Sequence, residues 1–194
     1  MSVILLLLRL PILVVHILVG LFTILFFPKE PKNFKNSHYR IMMLWMNILS
    51  SILGIKVDIR GIPDQSANLF VSNHVTYLDI IIINKLLPVN FIAKEEISSW
   101  PVIGRLASKT GTLFIKRGDN VESSKMIYEM EERFKLQNKI VFFPEGKIGN
   151  GKRVRKFHYK LFKSIENKEL YIQPIAIRYP CLLYTSDAAD DKQC

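Results

Sequence analysis

In the stretch "SNHVTYLDI", Ser72 to Ile80, His74 and Asp79 stand five positions apart. A neutral imidazole can take the proton from an alcohol as that alcohol attacks, and a carboxylate bonded to the other ring nitrogen fixes the tautomer and stabilises the imidazolium. In a chain with four histidines, such a pair arises by accident about one time in five. Its surroundings must therefore decide its meaning. His74 directly follows the strand-like run "NLFVSN". Two other apolar runs end in the same way: "TLFIKRG" delivers Lys116, Arg117 and Gly118, and "KIVFFPEG" delivers Pro144, Glu145 and Gly146. Any one of these reads as a solvated turn; three along one domain read as side chains aimed into one pocket.

The elements that carry these residues alternate. "IKVDIRG", "NLFVSN", "NFIAK", "TLFIKR", "KIVFFP" and "LYIQPIAI" have the β-branched and aromatic content of strands. Residues 78–87 and 122–137 read as helices, the second with Met126, Met130 and Phe134 at helical spacing toward a core. The expectation is an α/β domain, a central mixed sheet flanked by helices, with ligands gathering where strands end.

Upstream lies a different kind of segment. Leu10 to Phe27 carries no formal charge, and at ~1.5 Å per residue it covers roughly 27 Å, close to the hydrocarbon thickness of a bilayer. Phe26-Phe27-Pro28-Lys29 offers no signal-peptidase site, so an uncleaved anchor is expected. Lys29, Lys32, Lys35 and Arg40 follow it, which places the remainder on the cytoplasmic face by the positive-inside rule. Ile41 to Ile55 is apolar apart from Asn47, Ser50, Ser51 and Gly54 on one stripe. It is too short to span, and reads equally as an interfacial helix or a packed core helix.

Composition agrees with this picture. In 194 residues, 49% are hydrophobic and the formal charge is +10, which calls for an anionic partner. The basic residues are not interleaved with aromatics as in a nucleic-acid reader, so an anionic membrane surface is favoured over nucleic acid. Both cysteines, Cys181 and Cys194, lie at the extreme C-terminus, leaving no disulfide framework and no Cys-based metal site. A DNA-binding module would leave the membrane-length helix unexplained, and a non-catalytic membrane scaffold would leave His74 and Asp79 unexplained.

Over roughly residues 55–179 the chain resembles the glycerolipid acyltransferases, the lysophosphatidate acyltransferases and their relatives. Asn73, His74 and Asp79 match the first block, Asn-His-x4-Asp. Gly111, Phe114, Ile115 and Arg117 match the second, Gly-x-x-Phe-Ile-x-Arg, and Phe143, Pro144, Glu145 and Gly146 the third, Phe-Pro-Glu-Gly. Pro174 matches the late proline-containing strand, and "FIAKEEISSWPVIGRLA" resembles the segment between the first two blocks. The resemblance implies transfer of an acyl group from acyl-CoA or acyl-carrier protein to a lysolipid hydroxyl. His74 would be the base and Asp79 its partner, with no metal or cofactor. No Gly-x-Ser-x-Gly is present, so direct transfer without an acyl-enzyme is expected. Arg117, Glu145 and Gly146 would face the acceptor head group together with Gly111 and Phe114. Lys94 would be a further phosphate ligand, and Glu145 would hold a hydroxyl or brace Arg117.

One departure stands out. After Phe-Pro-Glu-Gly the family's usual Thr-Arg is replaced by Lys147-Ile148, so Lys147 would have to supply the missing charge. The layout from Gly146 to Phe157, Gly-x-x-x-Asn-Gly-x-x-Val-x-x-Phe, looks more like the branch that includes lyso-ornithine-lipid acyltransferases. The intact remaining blocks favour 1-acylglycerol-3-phosphate, converted to phosphatidate, with lyso-ornithine lipid as the alternative. "CLLYTSDAADD", Cys181 to Asp191, resembles the translation of a sequencing adapter. The organisation expected is therefore 1–40 as anchor and basic linker, 41–180 as acyltransferase domain with its first helix at 41–55, and 181–194 as a non-native tail.

Overall fold

The strands of this chain are short and mostly apolar, and the central ones carry buried apolar residues on both faces, the pattern of a covered sheet. The computed structural model describes residues 3–28, 34–116, 120–149, 153–166 and 168–179. Strands β1 (Ala67–Ser72), β2 (Val89–Lys94), β3 (Leu113–Ile115), β4 (Lys139–Phe142) and β5 (Tyr171–Ile175) form one sheet in the order β3-β2-β4-β1-β5. All its pairings are parallel. The architecture is α/β as expected, but parallel rather than mixed. Parallel neighbours need a crossover between them, and here each connection passes through helical turns: α3 (Leu78–Leu86), α4 (Ile103–Lys109), α5 (Asn120–Lys135), and a three-ten helix over Tyr159–Ile165.

Alternation along the strands builds two cores. Leu69, Ile140 and Phe142 face one side, packed with Met126, Met130 and Phe134 of α5. Phe70, Val89, Phe91 and Val141 face the other, packed with Ile83 and Leu87 at the end of α3. The methionine stripe is core, as its spacing required. Residues 55–61, expected to be a strand, form none: Lys56, Asp58, Ile59 and Arg60 are exposed, and β5 pairs only with β1 among the described strands. A period-two pattern becomes a strand only where a neighbour accepts its backbone hydrogen bonds.

At the N-terminus, α1 (Val3–Thr23) continues into a three-ten turn, Ile24–Phe26, and α2 (Asn36–Ile52) follows. Leu7–Phe26 is long and apolar enough to cross a membrane. His16 does not interrupt it as a bare polar group. Its ring stacks on Trp45 of α2 with centroids 4.6 Å apart, its Nε2 lies 3.1 Å from the Trp45 carbonyl, and Trp45 Nε1–H donates back to the His16 carbonyl. Gly20 permits this approach, since a Cβ there would lie 2.7 Å from the indole nitrogen. α2 in turn packs on α3. It starts five residues earlier than expected, and its polar residues do not form one wet stripe. Ser50 is fully buried, accepts from Lys85 Nζ and donates to the Ile55 carbonyl. Tyr39 pins the helix to the sheet, its hydroxyl lying 2.9 Å from Asn90 Oδ1 and 3.1 Å from Asn138 Oδ1. Ile41, Leu44 and Ile48, on the outer face, remain exposed. Lys29, Lys32 and the 181–194 tail lie outside the described residues.

Candidate active site

β1 stops at Ser72, and the chain then wraps around a single carboxylate. Asp79, in the first turn of α3, is fully buried. Its Oδ2 accepts from His74 Nδ1 at 2.8 Å and from the backbone N–H groups of Val75 at 2.7 Å and Thr76 at 3.1 Å. Its Oδ1 accepts from the Tyr179 hydroxyl at 2.7 Å. Burial alone would push this carboxyl up; the bonds from His74, Tyr179, Thr76 and Val75 outweigh it and hold Asp79 below the ordinary carboxylate value. Burial first, then the adjacent Asp79, push the Tyr179 phenol up, so it stays a donor. Facing a carboxylate, His74 Nδ1 carries the proton, which leaves Nε2 as the basic atom. Phe143 fixes the ring plane, stacked with centroids 3.9 Å apart and 10° between planes.

β4 is the strand beside β1, and its end supplies the opposite wall. Gly146 has φ of 67° and donates its N–H to the Phe143 carbonyl, a left-handed turn that glycine adopts without strain. That turn leaves Glu145 buried, with Oε2 accepting from the Arg155 N–H at 3.1 Å. Gly149 N–H donates to the His74 carbonyl at 2.7 Å, drawing this loop across the end of β1. The resulting crevice is lined by Asn73, His74, Val75, Glu145, Gly149, Arg153 and Val154. An imidazole, a buried carboxylate and an exposed arginine are thus among its lining residues. A second hollow, between the end of α1 and the start of α2, is lined by Phe22, Phe26, His38 and Ile41 among others. No carboxylate is among its lining residues.

Other expected site residues stand elsewhere. Lys94 ends β2 with Nζ 2.6 Å from Glu96 Oε1 and does not line the crevice. Gly111 has φ of 90° and turns the chain from α4 into β3. Phe114 lies in β3, paired with Ala93 of β2, at the far edge of the sheet. Lys147 is exposed on the loop after β4 and is not part of the lining. Arg117 lies outside the described residues. Three residues not among those expected also stand at or beside the crevice: Arg153 in its lining, Phe143 against His74 and Tyr179 on Asp79. Arg153 was signalled only by the basic run "GKRVRKF"; nothing in the sequence signals that Tyr179 reaches Asp79, a hundred positions away. Among the described residues, no group of three or more His, Cys, Asp or Glu is placed to hold a metal ion.

The fold is thus a parallel α/β sheet that carries a His–Asp pair at the carboxyl end of β1. The acyltransferase family model matches residues 55–178, and the chain belongs to that family. It is 35% identical over 140 residues to the lyso-ornithine lipid O-acyltransferase of Pseudomonas aeruginosa, covering 72% of this chain and 54% of that protein. It is 30% identical over 147 residues to the 1-acyl-sn-glycerol-3-phosphate acyltransferase of Neisseria gonorrhoeae, covering 75% and 57%. The chain thus spans a little over half the length of these curated relatives. Among solved structures, the 1-acyl-sn-glycerophosphate acyltransferase PlsC of Thermotoga maritima shares the fold, with a TM-score of 0.61 at 19% identity over 87% of this chain and 70% of that one.

Proposed function

We propose that this protein moves an acyl group from a thioester, acyl-CoA or acyl-carrier protein, to the hydroxyl of a lysolipid, with His74 as general base. The observation that carries the reading is the oriented His74–Asp79 pair opening onto the Glu145–Arg153 crevice. His74 Nε2 takes the proton as the lysolipid oxygen bonds to the thioester carbonyl carbon. Asp79 holds the imidazolium so formed. The tetrahedral intermediate expels the thiolate as the C–S bond breaks, and the imidazolium returns the proton to that sulfur. Every atom is accounted for without a covalent enzyme intermediate.

The acceptor best supported is a lyso-ornithine lipid. Its head group presents a carboxylate and an ammonium, and the crevice presents Arg153 and Glu145. A phosphate monoester carries up to two negative charges and would meet the Glu145 carboxylate beside its guanidinium. The 35% and 36% identities to two lyso-ornithine lipid acyltransferases support the same choice. Lysophosphatidate is the second reading. It is favoured by the intact Phe-Pro-Glu-Gly block and by Arg117 and Lys147, which would add the cations that a phosphate needs. α1, with Leu8, Val15, Leu18 and Phe22 exposed, would hold the enzyme in the membrane where its acceptor resides, catalytic domain on the cytoplasmic face.

Rates with both lysolipids, measured in membranes free of host acyltransferase, decide the acceptor. Arg153→Ala should lower use of lyso-ornithine lipid by about tenfold or more, the worth of one charge-assisted contact. Ile148→Arg, which restores the common pattern, should be neutral or harmful with this acceptor. A parent enzyme that acylates lysophosphatidate and ignores lyso-ornithine lipid reverses the choice. His74→Ala should lose at least about 10²-fold in turnover with either acceptor.

A further inference from the structure

β1 and β5 pair in register as far as Ser72 and Ile175, and beyond that point the pairing is continued by a side chain. Asn73 Nδ2 donates to the Ile177 carbonyl and Asn73 Oδ1 accepts from the Ile177 N–H, both at 2.8 Å. A primary amide has two N–H donors and an acceptor oxygen in one plane; one N–H and the oxygen here pair with the carbonyl and N–H of a single residue, so Asn73 serves as an extra rung of the ladder. Side chains two apart on an extended chain share a face, and two residues past the clamp Tyr179 donates its hydroxyl to Asp79 Oδ1.

From this geometry we infer that Asn73 and Tyr179 are positioning residues that act in series on the His–Asp pair: Asn73 clamps Ile177, the clamp sets Tyr179, and Tyr179 sets the charge and orientation of Asp79. The inference rests on His74 being the base. Tyr179 is not among the residues that line the crevice, and its hydroxyl donates to Asp79, so its influence on His74 runs through the carboxylate. With the phenol in place, Asp79 shares its charge between two side-chain donors on its two oxygens. Without it, that charge concentrates on the bond to His74. The other groups facing the imidazole are Phe143 over its face, Tyr77 at its edge, and Glu145 and Arg153 across the crevice. The hydrogen bond on Asp79 Oδ1 comes from Tyr179, so the effect of Tyr179 is separable from theirs.

The test uses the whole chain in detergent with acyl-CoA and a lysolipid acceptor. Tyr179→Phe keeps the ring and removes one hydrogen bond; kcat should fall by roughly tenfold while KM for the acceptor stays within twofold. The acid limb of the kcat/KM profile should move to higher pH, because a more concentrated charge on Asp79 favours the imidazolium. The proton between His74 Nδ1 and Asp79, read by NMR on histidine-labelled protein, should move downfield, a signature independent of turnover. Asn73→Ala should reproduce these changes on kcat and on the resonance. The double variant should be no worse than the worse single one, because both act through the same phenol. Multiplying single-variant losses would show that Asn73 acts by another route and overturns the series. Parent-like kcat, limb and resonance in Tyr179→Phe also overturn it, provided His74→Ala is inactive. If His74→Ala is active, the base assignment has failed first, which the resonance shift in Tyr179→Phe distinguishes from failure of the Tyr179–Asp79 link. Should Tyr179→Phe fold poorly, the resonance in Asn73→Ala decides alone.

Discussion

Asp79 can be removed in two ways that the structure predicts to be very different. Asp79→Asn keeps the shape. With its oxygen in the Oδ2 position it still accepts from His74, Val75 and Thr76, and its amide nitrogen in the Oδ1 position can donate to the Tyr179 oxygen, which needs only to rotate its proton. Only the charge is lost. The bonds become neutral ones, but a buried charge also disappears, so the fold should lose only about 1 kcal/mol. Asp79→Ala instead removes all four acceptor contacts in a fully buried place. The Val75 and Thr76 N–H groups are backbone and cannot turn away to water. At about 1–3 kcal/mol for each buried donor left unpaired, the two backbone donors cost roughly 2–6 kcal/mol once His74 and Tyr179 relax. For a chain of this size that lowers Tm by roughly 5–20 °C, against a few degrees for Asp79→Asn. Catalysis should not follow the same order. Without the negative charge the imidazolium has no counter-ion, and the asparagine variant should lose about 10³–10⁴ in kcat despite its near-normal melt. Calorimetric melts and initial rates on the same preparations make the comparison. Equal melting of the two variants, or an asparagine variant within tenfold of the parent in kcat, refutes the reasoning.

The same carboxylate gives a pH dependence. Because folding lowers the Asp79 value below the ordinary 3.8, the folded chain binds this proton less tightly than the unfolded one. Its stabilisation is complete above about pH 4 and is lost as pH falls through the lowered folded value, so Asp79→Asn should flatten that part of an acid-unfolding curve. Tyr39→Phe removes the phenol joining α2 to Asn90 and Asn138, beside the buried Arg133 Nη1 and Asn138 Nδ2, which have no partner among the described residues. A loss of about 1–3 kcal/mol is expected, with hydrogen exchange rising in α2 more than in β4; unchanged α2 protection sinks the idea that this contact anchors the helix. A chain shortened to begin at Lys35 loses α1 and should lose integral-membrane behaviour. It should keep a detergent-sensitive attachment through Ile41, Leu44 and Ile48 on the outer face of α2; a fully soluble product speaks against that attachment.

Much of the fold is legible in the sequence because its strands are apolar on both faces and its helices carry their own period. "NLFVS" and "KIVF" could only be covered strands, and Met126, Met130 and Phe134 could only be one face of α5. Residues 55–61 misled because alternation records which side chains want burial and says nothing about whether a neighbouring strand is there to pair. Parallel pairing was hidden for a related reason: direction is set by the crossovers, and the three-ten turns at Glu95–Ser99 and Tyr159–Ile165 have no strong periodic signature. Ser50 looked like part of a wet stripe. It is buried where α2 packs on α3, and Lys85 of that helix donates to it.

The site divides along the same line. His74 and Asp79 were readable because their interaction is local, one turn of chain wrapped around a carboxylate, with the intervening N–H groups turned inward by the same turn. Glu145 was readable because a strand ends and a glycine turn follows. Arg153 enters the crevice through a loop whose hold on His74 is one backbone bond from Gly149, and Tyr179 reaches Asp79 only because β5 lies beside β1. No spacing encodes either contact, since both depend on which strands are neighbours. The sheet order β4-β1-β5 thus does chemical as well as structural service: it brings to the end of β1 a carboxylate from the strand on one side and a phenol from the strand on the other. Lys94 and Phe114 sit on β2 and β3, further along the sheet, and Gly111 lies in the turn that leads into β3. That is why motifs matching equally well in sequence separate in space into those that line the crevice and those that support the edge.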